Sequence, residues 1–124
     1  MNLVAAAHNF YVALTELSSL ELQRKYWLNE DNKEQLTSSF YELVNTLNDG
    51  ELDTLVLGGK MDISCQRLVR SLIDQVNSYQ EPKAYGKRGG DELIINDPAW
   101  QRIVGDASQV LGSDCLNTIR DLLA

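Results

Sequence analysis

From its third residue this chain spaces apolar side chains three and four positions apart, and that period belongs to an amphipathic α-helix with one face turned to a core. Leu3, Ala7, Phe10, Leu14 and Leu17 draw the first stripe. Ser18, followed three residues later by Glu21, has the form of a capping box. The stripe therefore either bends or restarts there as a second helix through Leu20, Trp27 and Leu28.

The same reading continues down the chain. Asp31-Asn32 offers N-cap chemistry, Leu36, Phe40, Leu43, Val44 and Leu47 repeat at helical spacing, and Asn48-Asp49-Gly50 supplies a stop. Residues 51–57, before Gly58-Gly59, read as a short helix, with a strand as the alternative. Asp62 caps a helix whose apolar face runs through Cys65, Leu68, Val69, Leu72, Ile73, Val76 and Tyr79 until Pro82. Residues 82–92 have no apolar period and carry Lys83, Tyr85, Lys87 and Arg88 among glycines, which reads as a mobile basic loop. Leu93-Ile94-Ile95 reads as a short extended piece. At Asp97-Pro98 a helix begins for a definable reason: Asp accepts an orphan backbone N–H, and Pro at the first helical position forfeits no bond. That helix passes through Ile103, Val104, Ala107, Val110 and Leu111 to Gly112. Ser113 or Asp114 then caps a last amphipathic segment with Leu116, Ile119, Leu122 and Leu123.

The expected architecture is all-α, a compact bundle of about six helices in one domain spanning 1–124. The alternative is an α+β fold in which 54–57 pairs with 93–95. A chain of 124 residues with 44% hydrophobic and 7% aromatic content buries enough surface to fold without a disulfide or metal staple. Cys65 and Cys115 are accordingly read as two reduced, buried thiols. The first eight residues lack a basic region, and His8 and Asn9 interrupt the apolar run well short of a spanning length. A cytoplasmic protein without membrane association is expected.

Catalytic and cofactor chemistry find little to work with. His8 is the only histidine and stands in no nucleophile motif. The spacings that bind zinc are missing, and Asp49-Gly50-Glu51-Leu52-Asp53 lacks the alternating oxygen ligands of a calcium loop. Gly58-Gly59-Lys60 departs from a phosphate-binding loop at both ends, with Thr54 in place of the first Gly and Met61 in place of the Ser or Thr. The expectation is a non-enzyme with no metal and no cofactor. One short basic loop on an acidic domain is also too small a footprint for direct nucleic-acid binding.

Charge is the remaining signal. The net charge is −7, and between Glu30 and Gly59 seven carboxylates, Glu30, Asp31, Glu34, Glu42, Asp49, Glu51 and Asp53, face only Lys33. Solvated helices usually mix Lys with Glu, so the imbalance marks this stretch, together with the phenol of Tyr41, as a partner-binding surface for a basic protein. In size, acidity and helix content, with this acidic stretch and the Asn96-Asp97-Pro98-Ala99-Trp100 helix start, the chain resembles bacterial immunity proteins and antitoxins that neutralise nuclease toxins. The resemblance implies occlusion of a cationic groove by acidic side chains, with Tyr41, Tyr85 or Trp100 as aromatic anchors. The competing expectation is a helical adaptor that holds its partner in an apolar groove.

Overall fold

The computed structural model describes residues 2–33, 35–82 and 90–124, and every regular element among them is a helix, without a strand. The elements are α1 (Leu3–Leu17), α2 (Leu20–Trp27), α3 (Phe40–Leu47), α4 (Glu51–Leu57), α5 (Ile63–Ser78), α6 (Gly90–Ile95), α7 (Pro98–Leu111), a 3-10 turn (Asp114–Leu116) and α8 (Asn117–Leu123). The all-α expectation stands, and the two-stranded alternative does not, because 54–57 lies in α4 and 93–95 in α6.

α1 is the central helix: α2, α3, α4, α7 and α8 all pack on it. Its buried face holds Ala6, Ala7, Phe10, Ala13, Leu14 and Leu17, and the alanines let neighbouring backbones come close. Asn2 begins the helix by accepting the Ala5 N–H at 2.9 Å. Where α4 ends, Gly58 lies against the Leu3 side chain. A Cβ on Gly58 would stand 2.4 Å from the Leu3 side chain, so any larger residue must displace Leu3.

Several predicted boundaries coincide with side-chain caps. Ser19, rather than Ser18, caps α2 by accepting the Leu22 N–H at 3.1 Å. Asp62 accepts the Cys65 N–H at 2.8 Å and starts α5. Asp97 serves twice, since Oδ1 accepts the Ala99 N–H at 3.1 Å and Oδ2 accepts the Tyr79 hydroxyl at 2.6 Å. That second bond couples the end of α5 to the start of α7. Burial and the Asp97 carboxylate together push the Tyr79 phenol well above its usual range.

Gly90, Asp91 and Glu92, expected in the 82–92 loop, and Leu93-Ile94-Ile95, expected as an extended piece, lie in α6 instead, and two further expectations are corrected. The third helix begins at Phe40 and not at Asp31-Asn32, for the intervening backbone enters the left-handed region at Asn29 (φ 59°), Asp31 (φ 49°) and Gln35 (φ 55°). Asn32 competes with helix formation there: its Oδ1 accepts the Leu36 N–H at 3.1 Å and its amide donates to the Leu36 carbonyl. Leu36 consequently leaves the core stripe and is 53% exposed. Ser39 is the operative cap, accepting the Glu42 N–H at 3.1 Å.

The second correction concerns the cysteines. Cys65 and Cys115 form a disulfide with Cα atoms 5.2 Å apart, inside the range such a bond requires. Helical spacing brings the first turn of α5 against the 3-10 turn, a proximity that separation along the chain conceals. The bond closes a 50-residue loop, for which chain entropy in the unfolded state gives up to about 4 kcal/mol of stabilisation.

Below α1, an aromatic cluster fills the space between α2, α3, α5 and α7. Trp100 lies 5.4 Å from Phe40, 5.1 Å from Tyr79 and 6.1 Å from Trp27, ring centre to ring centre. Such pairs contribute roughly 0.5–1.5 kcal/mol each beyond their burial. Gln23 is the buried polar side chain that satisfies this cluster. Its Oε1 accepts the Trp100 indole N–H at 2.8 Å, while its amide donates to the carbonyls of Glu16 and Leu17 at 3.0 and 3.2 Å.

Candidate functional site

The acidic stretch does not fold into a single face. Glu30 and Asp31 are exposed on the connector between α2 and α3, while Glu34 lies outside the described residues, as do Lys83, Tyr85, Lys87 and Arg88 of the expected basic loop. Tyr41 is 60% exposed on α3 and its hydroxyl donates to Glu81; that bond holds the proton and raises the phenol's pKa. Asp53 turns toward α5, where its Oδ1 meets Arg70 Nη2 at 3.1 Å. It is thus already paired within the chain. Both partners of that pair are well exposed, so the ion pair itself adds little stability. Trp100 has no exposed surface and is removed from the set of partner-contacting aromatics.

Asp53 lines a depression together with Arg70 and Asp74, whereas Asp49 and Glu51 meet at a concave surface with no described lysine or arginine. The turn Asn48-Asp49-Gly50 ends α3 and starts α4, with Gly50 at φ 96°, a conformation that glycine adopts without steric cost. Both carboxylates line two adjoining depressions beside α1, of about 360 and 470 Å³, which also share Asn9. His8, Val12 and Glu16 from α1, with Ser38 and Thr46, complete the larger part of the wall in the first of them. Asn2, Ala6 and Thr54 extend the second toward the start of α1. No lysine or arginine among the described residues lines either depression.

Three features set the electrostatics of this groove. Glu51 Oε2 is buried with no hydrogen-bond partner among the described residues. A desolvated carboxylate oxygen without a donor is costly, and a cation or a donor group brought to it relieves that cost. Glu16 is the second feature: one oxygen, Oε2, accepts both the Trp27 indole N–H at 3.2 Å and the Ser38 hydroxyl at 3.0 Å. Burial outweighs those two bonds and raises its pKa, with the charge of nearby Glu42 adding in the same direction. Third, Glu42 itself stands exposed on α3, within electrostatic reach of Glu16. Three carboxylates, Glu16, Asp49 and Glu51, thus line a wall that carries one imidazole and the exposed apolar side chain of Val12, with Glu42 acting on Glu16 from outside it.

Glu16 is the member that sequence reading missed. It precedes the acidic stretch by fourteen residues along the chain, and only the packing of α3 on α1 brings it in. Its position three residues after Ala13 and four before Leu20 gave a signal of being at the edge of the buried stripe, but none of having a partner. A further acidic site outside the predicted set lies at the N-terminus of α3. There Asp91 accepts the Phe40 N–H, and burial, together with the charge of Glu81, raises its pKa despite that bond.

Among the described residues no helix is long and apolar enough to cross a membrane, and no group of three or more His, Cys, Asp or Glu is arranged to hold a metal ion. No protein-family model, no curated protein and no solved structure matches this chain.

Proposed function

We propose that this chain is a protein-binding inhibitor, of the kind represented by bacterial immunity proteins, that binds and occludes a cationic partner such as a nuclease-type toxin. The groove formed by α1 and the α3–α4 turn is the centre of that surface, with Glu42, Asp49 and Glu51 supplied by the acidic stretch and Glu16 by α1. The observation that carries this reading is the orphan Glu51 Oε2 in a groove that three carboxylates and no described lysine or arginine line. A partner's Arg or Lys at that point makes charge-assisted bonds that nothing in the described chain makes. Rim carboxylates accelerate encounter, while the exposed Val12 adds contact area beside them.

A second reading, an adaptor with an apolar groove, has one observation in its favour. Between α5 and α7 a depression of about 290 Å³ is lined by Leu68, Leu72 and Val110, and Leu68 is 45% exposed. The two readings part over charge. After affinity capture of the partner from the native host, association is measured against ionic strength for the wild type and for Asp49→Asn/Glu51→Gln. The inhibitor reading expects a rate that falls steeply with salt in the wild type, and a slower, flatter dependence in the variant. Unchanged kinetics in the variant, with loss on Leu68→Glu, would transfer the binding site to the α5–α7 groove.

Cytoplasmic action, expected from the N-terminal sequence, goes with the reduced form of the Cys65–Cys115 pair, and action in an oxidising compartment with the bonded form.

A further inference from the structure

We propose that the Cys65–Cys115 disulfide is a redox latch on the C-terminal segment: its reduction releases residues 113–123 from the bundle while the rest stays folded. The proposal is independent of which partner the chain binds.

The local determinants of the segment are weak. The 3-10 turn has no side-chain cap at Ser113, and α8, seven residues long, has none at Leu116. A helix of that length does not persist on its own in water. Tertiary anchors hold it instead. Leu116 and Ile119 are buried, and the Arg120 guanidinium donates to the carbonyls of Leu111 and Ser113 at 2.7 and 2.6 Å and to Asn117 Oδ1 at 2.6 Å. Those bonds stay within the segment and its junction with α7, so they shape the turn without tying it to α5. The disulfide is the covalent tie to α5, and α8 itself lies on α1.

The two sulfurs differ in surroundings. Cys65 is 3% exposed, whereas Cys115 is half-buried. A dithiol reductant therefore reaches the Cys115 side: its thiolate attacks Cys115 Sγ, the S–S bond breaks, and Cys65 leaves as a thiolate. Cys65 is the third residue after the Asp62 cap, in the first turn of the 16-residue α5, where a helix N-terminus favours negative charge and so assists a leaving thiolate. The reductant's second thiol then displaces Cys115 and closes its own disulfide. Two electrons pass from the dithiol to the protein, and both cysteines end as thiols carrying the two protons the dithiol gave up.

The test treats the folded full chain with dithiothreitol under native conditions and follows intact mass and amide hydrogen exchange. The latch predicts a gain of two hydrogens and at least tenfold faster exchange across 113–123, with α1, α7 and the middle of α5 keeping their protection. Cys65→Ala/Cys115→Ala should show the same pattern without reductant. The proposal is overturned by a disulfide that resists dithiothreitol until the chain is unfolded, by loss of protection throughout the chain on reduction, or by reduction with 113–123 unchanged. Alkylation of both cysteines in air-oxidised protein without prior reduction also overturns it.

Discussion

At the scale of single residues, buried polar groups account for more of this molecule's specificity than its many exposed charges. Gln23 is fully enclosed, and its three bonds join two parts of the fold, α7 through Trp100 and the end of α1 through two carbonyls. Replacing Gln23 with Leu keeps the volume but leaves the Trp100 N–H without an acceptor, which should cost about 1–3 kcal/mol in chemical denaturation. Glu16 acts in the opposite sense. Because burial raises its folded pKa, the folded state holds the proton more tightly than the unfolded state does. Its contribution is therefore fully present below the unfolded value of about 4.3 and is lost as pH rises through the raised folded value. Glu16→Gln keeps an oxygen for both Trp27 and Ser38 and has no charge to desolvate. The variant should be more stable than wild type at pH 7, with the difference closing as the pH approaches 4; a constant difference across that range would contradict the assignment. Asp91, also raised by burial, adds to the same pH slope in the wild type.

At the scale of elements, the helical period was legible wherever a cap and an apolar stripe agreed. Asp62 and Asp97 start α5 and α7 where the sequence places them, and Gly112 ends α7. Disagreement arose at α3, where the apolar spacing of Leu36 and Phe40 continued upstream of the true start. Three left-handed residues and the Asn32 side chain override the period there, an example of turn chemistry outweighing hydrophobic pattern. Ser39→Ala separates the two descriptions by sign. As the N-cap of α3, Ser39 should cost about 1 kcal/mol when removed. In the interior of a helix begun at Asp31-Asn32, the same change would stabilise by a few tenths of a kcal/mol, since Ala is the better helix former. Residues 93–95 were read as extended because three consecutive apolar residues carry no period. Their place between α2 and α7 buries Ile94 and Ile95 in a helical turn instead.

At the scale of the whole molecule, sequence shows that charge is concentrated but not where it goes. Folding divides the acidic stretch among the α2–α3 connector, the Arg70 pair and the groove beside α1, and recruits Glu16 from outside it. The disulfide was illegible for a related reason: fifty residues separate its cysteines, and a chain of this size does not need a staple to fold. On the proposed function, the groove of α1 and the α3–α4 turn, rather than acidity in general, receives a cation-bearing partner. The most direct test of this is an NMR titration of the isotope-labelled protein with an oligo-arginine peptide at low salt, read residue by residue. Backbone shifts are expected to concentrate at His8, Val12, Thr46, Asp49 and Glu51 and to fall away in Asp49→Asn/Glu51→Gln. Shifts spread evenly over the acidic surface, or centred on Glu30 and Asp31 and unaffected by that double substitution, would contradict it.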